Sequence, residues 1–187
     1  MKIISGKYKG RTLNGFDIKG TRPTMDRVKE SVFAMIQDYI KDSTVLDLYS
    51  GTGNLGIEAI SNGAKKAYLV DNNKIAINKI NSNLSMLNIT CCNVLYGDAS
   101  NILNNLINQK EVLDIIFLDP PYNTNELNKI LTIINNNLSL LSEDAIIICE
   151  TELNLDYSIY NNLYIYKERK YGVKRVVILK KMLDKKS

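Results

Sequence analysis

Between residues 44 and 150, short apolar runs alternate with segments whose apolar residues recur at helical spacing. Val45–Tyr49, Ala67–Asp71, Val94–Tyr96, Asp114–Leu118 and Ala145–Glu150 read as strands buried on both faces. Ile77, Ile80, Leu84 and Leu87 lie on one helical face, as do Ile102, Leu103 and Leu106, and again Leu127, Ile130, Leu131, Ile134 and Leu138. This alternation predicts an α/β fold with a parallel, doubly wound sheet. Beyond it, Tyr164–Tyr171 and Arg175–Lys181 flank Gly172 and read as an antiparallel hairpin. The expectation is a mostly parallel seven-stranded sheet that ends in that hairpin.

The first strand runs into Ser50-Gly51-Thr52-Gly53-Asn54-Leu55-Gly56, a glycine loop that opens a helix through Ile60. The spacing matches the dinucleotide fingerprint, with Asp71 placed as a ribose acid about twenty residues on. The acids point elsewhere. Asp47, Asp71, Asp98 and Asp119 lie at or near the carboxyl ends of four successive strands. In a parallel sheet those ends share one edge, so four carboxylates meet one crevice. A pyrophosphate would enter that field as an anion. A ligand carrying a sulfonium and an ammonium suits it better, and S-adenosylmethionine carries both. Taken singly, each aspartate also fits a cap or a turn.

The fourth strand ends in Asp119-Pro120-Pro121-Tyr122. Two prolines cannot continue a ladder that needs their N–H, so they set a stiff turn. That turn lies where open α/β sheets bind ligands. It presents a carboxylate, the Pro120 carbonyl and an aromatic ring together. Two acceptors beside a stacking face suit a flat base with an exocyclic NH2.

Composition narrows the chemistry. The chain has 187 residues and no histidine, which removes histidine bases, triads and histidine-held metals. Cys91, Cys92 and Cys149 match neither a zinc spacing nor a disulfide framework. A reduced, cytoplasmic setting is expected, with no metal. No apolar run reaches the roughly 18 residues of a membrane span, and Met1–Gly6 is too short and polar for a signal peptide.

The net charge of +4 is unevenly spread. Residues 1–30 carry eight Lys/Arg against three acids, residues 31–166 seven against fifteen, and residues 167–187 nine against two. An acidic body with basic ends fits a polyanion held by those ends. Lys2 to Leu13 reads as a short basic hairpin carrying Lys7, Lys9 and Arg11. Thr24 is a plausible N-cap for a helix with Val28, Val32, Met35, Ile36 and Tyr39 on one face. Arg22, Arg27 and Lys29 stand at its start, against the helix dipole, as if an anion were near. At the other end, Lys170, Lys174 and Arg175 of the hairpin are further candidates for backbone contact, and the Lys185-Lys186 tail reads as solvated. Residues 1–40 are therefore expected to form a basic extension that binds a polyanion, which the resemblance below makes an RNA, and residues 41–187 the α/β domain that carries the crevice.

Four stretches carry a resemblance. Leu46-Asp47-Leu48-Tyr49-Ser50-Gly51-Thr52-Gly53 resembles the first motif of class I S-adenosylmethionine-dependent methyltransferases. With Ile4-Ser5-Gly6-Lys7-Tyr8-Lys9-Gly10-Arg11, Thr21-Arg22-Pro23-Thr24-x-Asp26-Arg27-Val28-Lys29-Glu30 and Asp119-Pro120-Pro121-Tyr122, the chain is similar nearly end to end to the bacterial 16S ribosomal RNA guanine-N2-methyltransferases. Tyr122 stands where that family often has Phe, and Asp71 where it often has Glu. The resemblance implies S-adenosylmethionine as cofactor. It implies Gly51 and Gly53 along the methionine part with Asp47 near its ammonium, Asp71 on the ribose, Asp98 on the adenine amine and Ala99 against the ring. It implies Asp119 and the Pro120 carbonyl on the target amine and Tyr122 stacked on a flipped base. The expected partner is ribosomal RNA or a small-subunit assembly particle, and a monomer is expected.

Three other readings compete. Asp119-Pro120-Pro121-Tyr122 also serves N6-adenine methylation of DNA or another RNA. An RNA-binding protein that has lost catalysis would keep the basic ends but would not need the motif and the cofactor acids. A nicotinamide dehydrogenase is disfavoured by the crevice carboxylates.

Overall fold

The structure, a computed structural model, describes residues 1–15, 23–122 and 125–183. Helix α1 spans Pro23–Ile40, and β1 (Thr44–Asp47), α2 (Asn54–Ser61), β2 (Lys66–Asp71), α3 (Lys74–Met86), β3 (Cys92–Tyr96), α4 (Ala99–Asn108), β4 (Leu113–Leu118), α5 (Glu126–Asn135) and β5 (Leu141–Thr151) follow in alternation. Strands β6 (Leu163–Tyr171) and β7 (Lys174–Lys181) complete one seven-stranded sheet in the order β3-β2-β1-β4-β5-β7-β6. β1 to β5 are parallel, and β7 runs antiparallel to both neighbours. The expected fold is the one observed. Leu138 falls in a 3₁₀ turn after α5 rather than in the helix itself.

Strand side chains alternate between two cores because the pleat has a period of two. Val45, Leu69, Phe117 and Ile148 pack against α1, α2 and α3, where Phe33 stacks on Phe117 with ring centroids 5.8 Å apart. Leu46, Val70, Ile116 and Ile147 face α4 and α5 on the other side. Each such fully buried side chain contributes about 1.5–3 kcal/mol, so the apolar runs stabilise the sheet from both faces. Among the described residues no helix is long and apolar enough to cross a membrane.

The amino-terminal arm differs from a regular hairpin. It has one isolated antiparallel bridge, Lys2 to Thr12, and turns through residues 6–10. Its two limbs are tied by Ile3 N to Arg11 O at 2.9 Å, Gly10 N to Ile3 O at 2.8 Å and Leu13 N to Met1 O at 2.8 Å, and its turn docks on α2: Lys7 N donates to Ser61 O at 2.7 Å, and Tyr8 N to Ser61 Oγ at 3.0 Å. Ile3 and Leu13 of the arm lie in the same core as α1. Helix α1 begins at Pro23, so Thr24 sits inside the first turn rather than capping it. Proline tolerates that first position because its missing N–H would have no helical partner.

Lys29 is a second departure. It faces no outside anion and is 3% exposed. Its Nζ donates to Lys2 O (2.7 Å) and Asn54 Oδ1 (2.8 Å) and pairs with Glu58 Oε2 at 2.9 Å. Glu58, fully buried, accepts from the amides of Ile4 and Ser5. All three ammonium hydrogens are used, the condition under which a buried charge is tolerated. The network binds the arm, α1 and the start of α2 into one unit.

Candidate active site

The strand order reverses between β1 and β4, which opens a crevice at their carboxyl ends. A cavity of about 710 Å³ occupies it, with Gly51, Asp71, Asp98, Ala99, Asp119, Pro120 and Tyr122 in its wall. Seven of the nine expected cofactor and catalytic residues are therefore brought together.

The glycine loop is shaped by its acids. Gly51 and Gly53 have φ of 58° and 84°, values that L side chains rarely adopt. A Cβ on Gly51 would meet nothing within 4 Å, so at that point the backbone borders open space. Asp71 at the end of β2 accepts from Gly51 N at 2.8 Å and from Asn73 N at 2.9 Å, one amide per oxygen. Further along, a Cβ on Gly56 would fall 2.1 Å from Leu69 Cδ2. Only glycine lets α2 lie this close to β2.

Asp47 and Gly53 are the two residues outside the cavity wall. Asp47 is 2% exposed and its Oδ2 accepts from Gly56 N at 3.0 Å. Burial raises its carboxyl to about 6, with the Gly56 amide opposing and Asp71 adding to the rise. Gly53 caps α2 and backs onto Ile57. Asp98 caps α4 through Asn101 N at 3.1 Å with one oxygen, Oδ1. It is thus a cap and a cavity residue at once, and Ala99 follows it, buried.

Asp119 follows β4 directly. Burial and nearby Glu150 raise its carboxyl to about 7, while Lys174 acts in the opposite sense. Pro120 is buried, and Tyr122 is 39% exposed at the cavity mouth. The arrangement offers a carboxylate near neutrality, a rigid backbone acceptor and an accessible ring within one opening.

Sequence reasoning assigned no place in the cavity to three residues that line it: Tyr49, Glu126 and Lys174. Tyr49 OH donates to Glu126 Oε2 at 3.2 Å across the cavity floor. Burial and Glu126 hold that phenol above its ordinary range. Tyr49 stands in the recognised motif and was legible, but Glu126 had no signal beyond a helix start. Lys174 was expected on the surface as an RNA contact. Instead it lines the cavity, pairs with Glu150 and sits over the Tyr122 ring at 5.4 Å from the centroid.

The other basic candidates divide. Lys7, Lys9, Arg11, Arg27 and Lys170 are exposed. Arg175 is partly spent on Glu168, at 3.1 Å. Arg22 and the Lys185-Lys186 tail lie outside the described residues.

Comparison with known proteins gives concordant matches. A family model described as "Conserved hypothetical protein 95" matches residues 1–180. The candidate rRNA methyltransferase YlbH of Bacillus subtilis is 38% identical over 183 residues, which is 97% of this chain and 99% of that protein. Ribosomal RNA small subunit methyltransferase D of Haemophilus influenzae is 33% identical over 175 residues, covering 92% and 90% of the two chains. The solved structure of the candidate methyltransferase yhhF from Escherichia coli superposes with a TM-score of 0.82 over 97% of each chain, at 27% identity.

Proposed function

The chain belongs to the family of bacterial small-subunit ribosomal RNA methyltransferases, and on that premise we propose that it methylates the exocyclic N2 amine of a guanine in 16S ribosomal RNA. Its relatives are RNA methyltransferases; the base and the atom are the finer part of this reading. The observation that carries it is the shared cavity: Asp119, Pro120 and Tyr122 open on the same space as Gly51, Asp71 and Asp98.

S-adenosylmethionine fits that space by charge and shape, and when bound it supplies a methyl group on a sulfonium. Carboxylates in the wall favour a cation, and each oxygen of Asp71 has a lone pair left for a ribose hydroxyl. Asp98 keeps its Oδ2 for an amino group, with Ala99 beneath the ring. Gly51 leaves the backbone open to the methionine part. Asp47, buried behind the loop, acts on that part by holding α2 through Gly56 and by its field, and Gly53 acts by setting the loop's turn.

On the substrate side, Asp119 and the Pro120 carbonyl accept the two hydrogens of the target amine. Accepting them turns the nitrogen lone pair out of the base's π-system and towards the methyl. Tyr122 stacks on a base taken out of its helix. A carboxyl near 7 also suits a group that receives the proton the amine sheds after transfer. Orientation of two bound reactants then supplies most of the rate. Lys7, Lys9, Arg11 and Arg27 are the phosphate-binding residues of residues 1–40, and Lys170 and Arg175 extend them on the hairpin.

The test is methylation of small-subunit particles, naked ribosomal RNA and duplex DNA with labelled cofactor, followed by nucleoside digestion. N2-methylguanine from ribosomal RNA is the expected product. A dominant N6-methyladenine product, or a preference for DNA, would replace this reading with the adenine one.

A further inference from the structure

Three strands deliver one charged group each to the same corner. Phe117 pairs with Ile148 and Leu118 with Cys149, so the next step of that register sets Asp119 beside Glu150. Glu150 pairs with Val176 across the antiparallel seam, and Lys174 is two residues along β7, on the same face of the sheet. Lys174 and Glu150 form an ion pair with side chains only 22% and 17% exposed. The Lys174 ammonium also lies over the Tyr122 ring. Lys174 and Asp119 together border both the main cavity and a smaller one of about 70 Å³ beneath α1, where Glu150 also faces.

A lysine paired at a strand end is ordinarily a structural contact. This one differs in touching the ring proposed to stack on the base while bordering the cavity beside the carboxylate proposed to hold the amine. We propose that Lys174, held by Glu150, is a positioning residue for methyl transfer: it fixes the Tyr122 ring and sets a positive charge on the cavity wall it shares with Asp119, favouring the carboxylate that accepts the target amine. The inference rests on the reading of Asp119 and Tyr122 given above.

The charges around Asp119 set the sign. Glu150 from β5 and Asp47 from β1 favour its protonated form, and Lys174 from β7 favours the ionised one. Lys29 of α1 borders the small cavity but is committed to Glu58. Tyr122 of the same loop stays a neutral phenol, its ionisation opposed by burial. Asp71, Asp98 and Glu126, with Tyr49, lie elsewhere around the main cavity. Lys174 is therefore the cation that opposes protonation of Asp119, and removing it moves that protonation to higher pH.

The experiment is the pH dependence of single-turnover methyl transfer to the small-subunit particle, with a carbon NMR titration of the Asp119 carboxyl in parallel. Lys174→Gln is expected to displace the acid limb upward by about one pH unit, so that the rate at neutral pH falls on the order of tenfold and recovers in alkali. Lys174→Arg keeps the limb near its original position, and Glu150→Gln displaces it downward. The Asp119 resonance should titrate in step with each limb. A Lys174→Gln enzyme slowed equally at every pH, or not slowed, or an Asp119 titration that does not move, overturns the inference. Wild-type protein that methylates no RNA would overturn the functional reading instead, and the carboxyl titration would still decide the role of Lys174.

Discussion

Gly51 donates its amide to Asp71 at 2.8 Å, so the carboxylate expected to hold a cofactor's ribose also holds the loop that faces it. Binding energy and loop shape are linked through one side chain. Asp71→Ala should weaken S-adenosylmethionine binding by about 1–3 kcal/mol through lost ribose bonds, and further through a loosened loop. Asp71→Asn, which keeps one carbonyl acceptor, should lose less. Calorimetry on both variants checks the order; equal losses would separate the loop from the ribose.

Asp119→Ala should abolish turnover while cofactor affinity and fold survive, because this is the carboxylate proposed to hold the target amine rather than the cofactor. Tyr122→Ala should be severe and Tyr122→Phe mild, since stacking needs the ring more than the hydroxyl. Single-turnover rates with saturating cofactor measure this directly. Near wild-type transfer by Asp119→Ala would sink the proposed chemistry.

The same carboxylate should cost stability. Its folded value of about 7 lies above the ordinary 3.8, so the folded state binds the proton more tightly than the unfolded chain does. Stability from this group is highest at acid pH and declines as pH rises from about 4 to about 7. Asp119→Asn should therefore stabilise the protein by about 1–3 kcal/mol at about pH 8, with the gain fading towards about pH 4. Urea denaturation at the two pH values tests the sign. A variant no more stable than wild type at the higher pH would show that the site's burial is already relieved.

Breaking the Lys29–Glu58 pair should be expensive, because Glu58 would remain buried without its cation. Lys29→Met is expected to destabilise the fold by roughly 3–5 kcal/mol, with the urea midpoint falling and the slope kept. The loss should appear as well in protection of the Ile4 and Ser5 amides, which Glu58 holds. Wild-type amide exchange in the variant would mean the arm is held by its docking on Ser61 and by Ile3 and Leu13 in the core.

RNA affinity should fall steeply with salt as lysines and arginines displace counterions from phosphates. Replacing Lys7, Lys9, Arg11 and Arg27 by alanine should weaken RNA binding and flatten the salt slope while leaving cofactor binding intact. Filter binding across a salt series measures both quantities. An unchanged slope would move the RNA face away from the amino-terminal arm.

The order of elements and the position of the crevice were legible in the sequence alone. Alternating apolar runs force a parallel sheet. Right-handed crossovers then put the ends of β2, β3 and β4 on one edge, which is why Asp71, Asp98 and Asp119 meet without any structure to show it. Local chemistry was legible too, in the glycine loop and the stiff Asp119–Tyr122 turn. What no local pattern encodes is which side chains face each other across a long loop in sequence. The Glu150–Lys174 pair depends on the antiparallel register of β5 and β7, and the Lys29–Glu58 pair on how α1 packs beside α2. In sequence Lys29 and Lys174 are surface cations like their neighbours. Burial alone separates them, and burial is a property of the packed whole: one lysine became a structural tie and the other a wall of the candidate site.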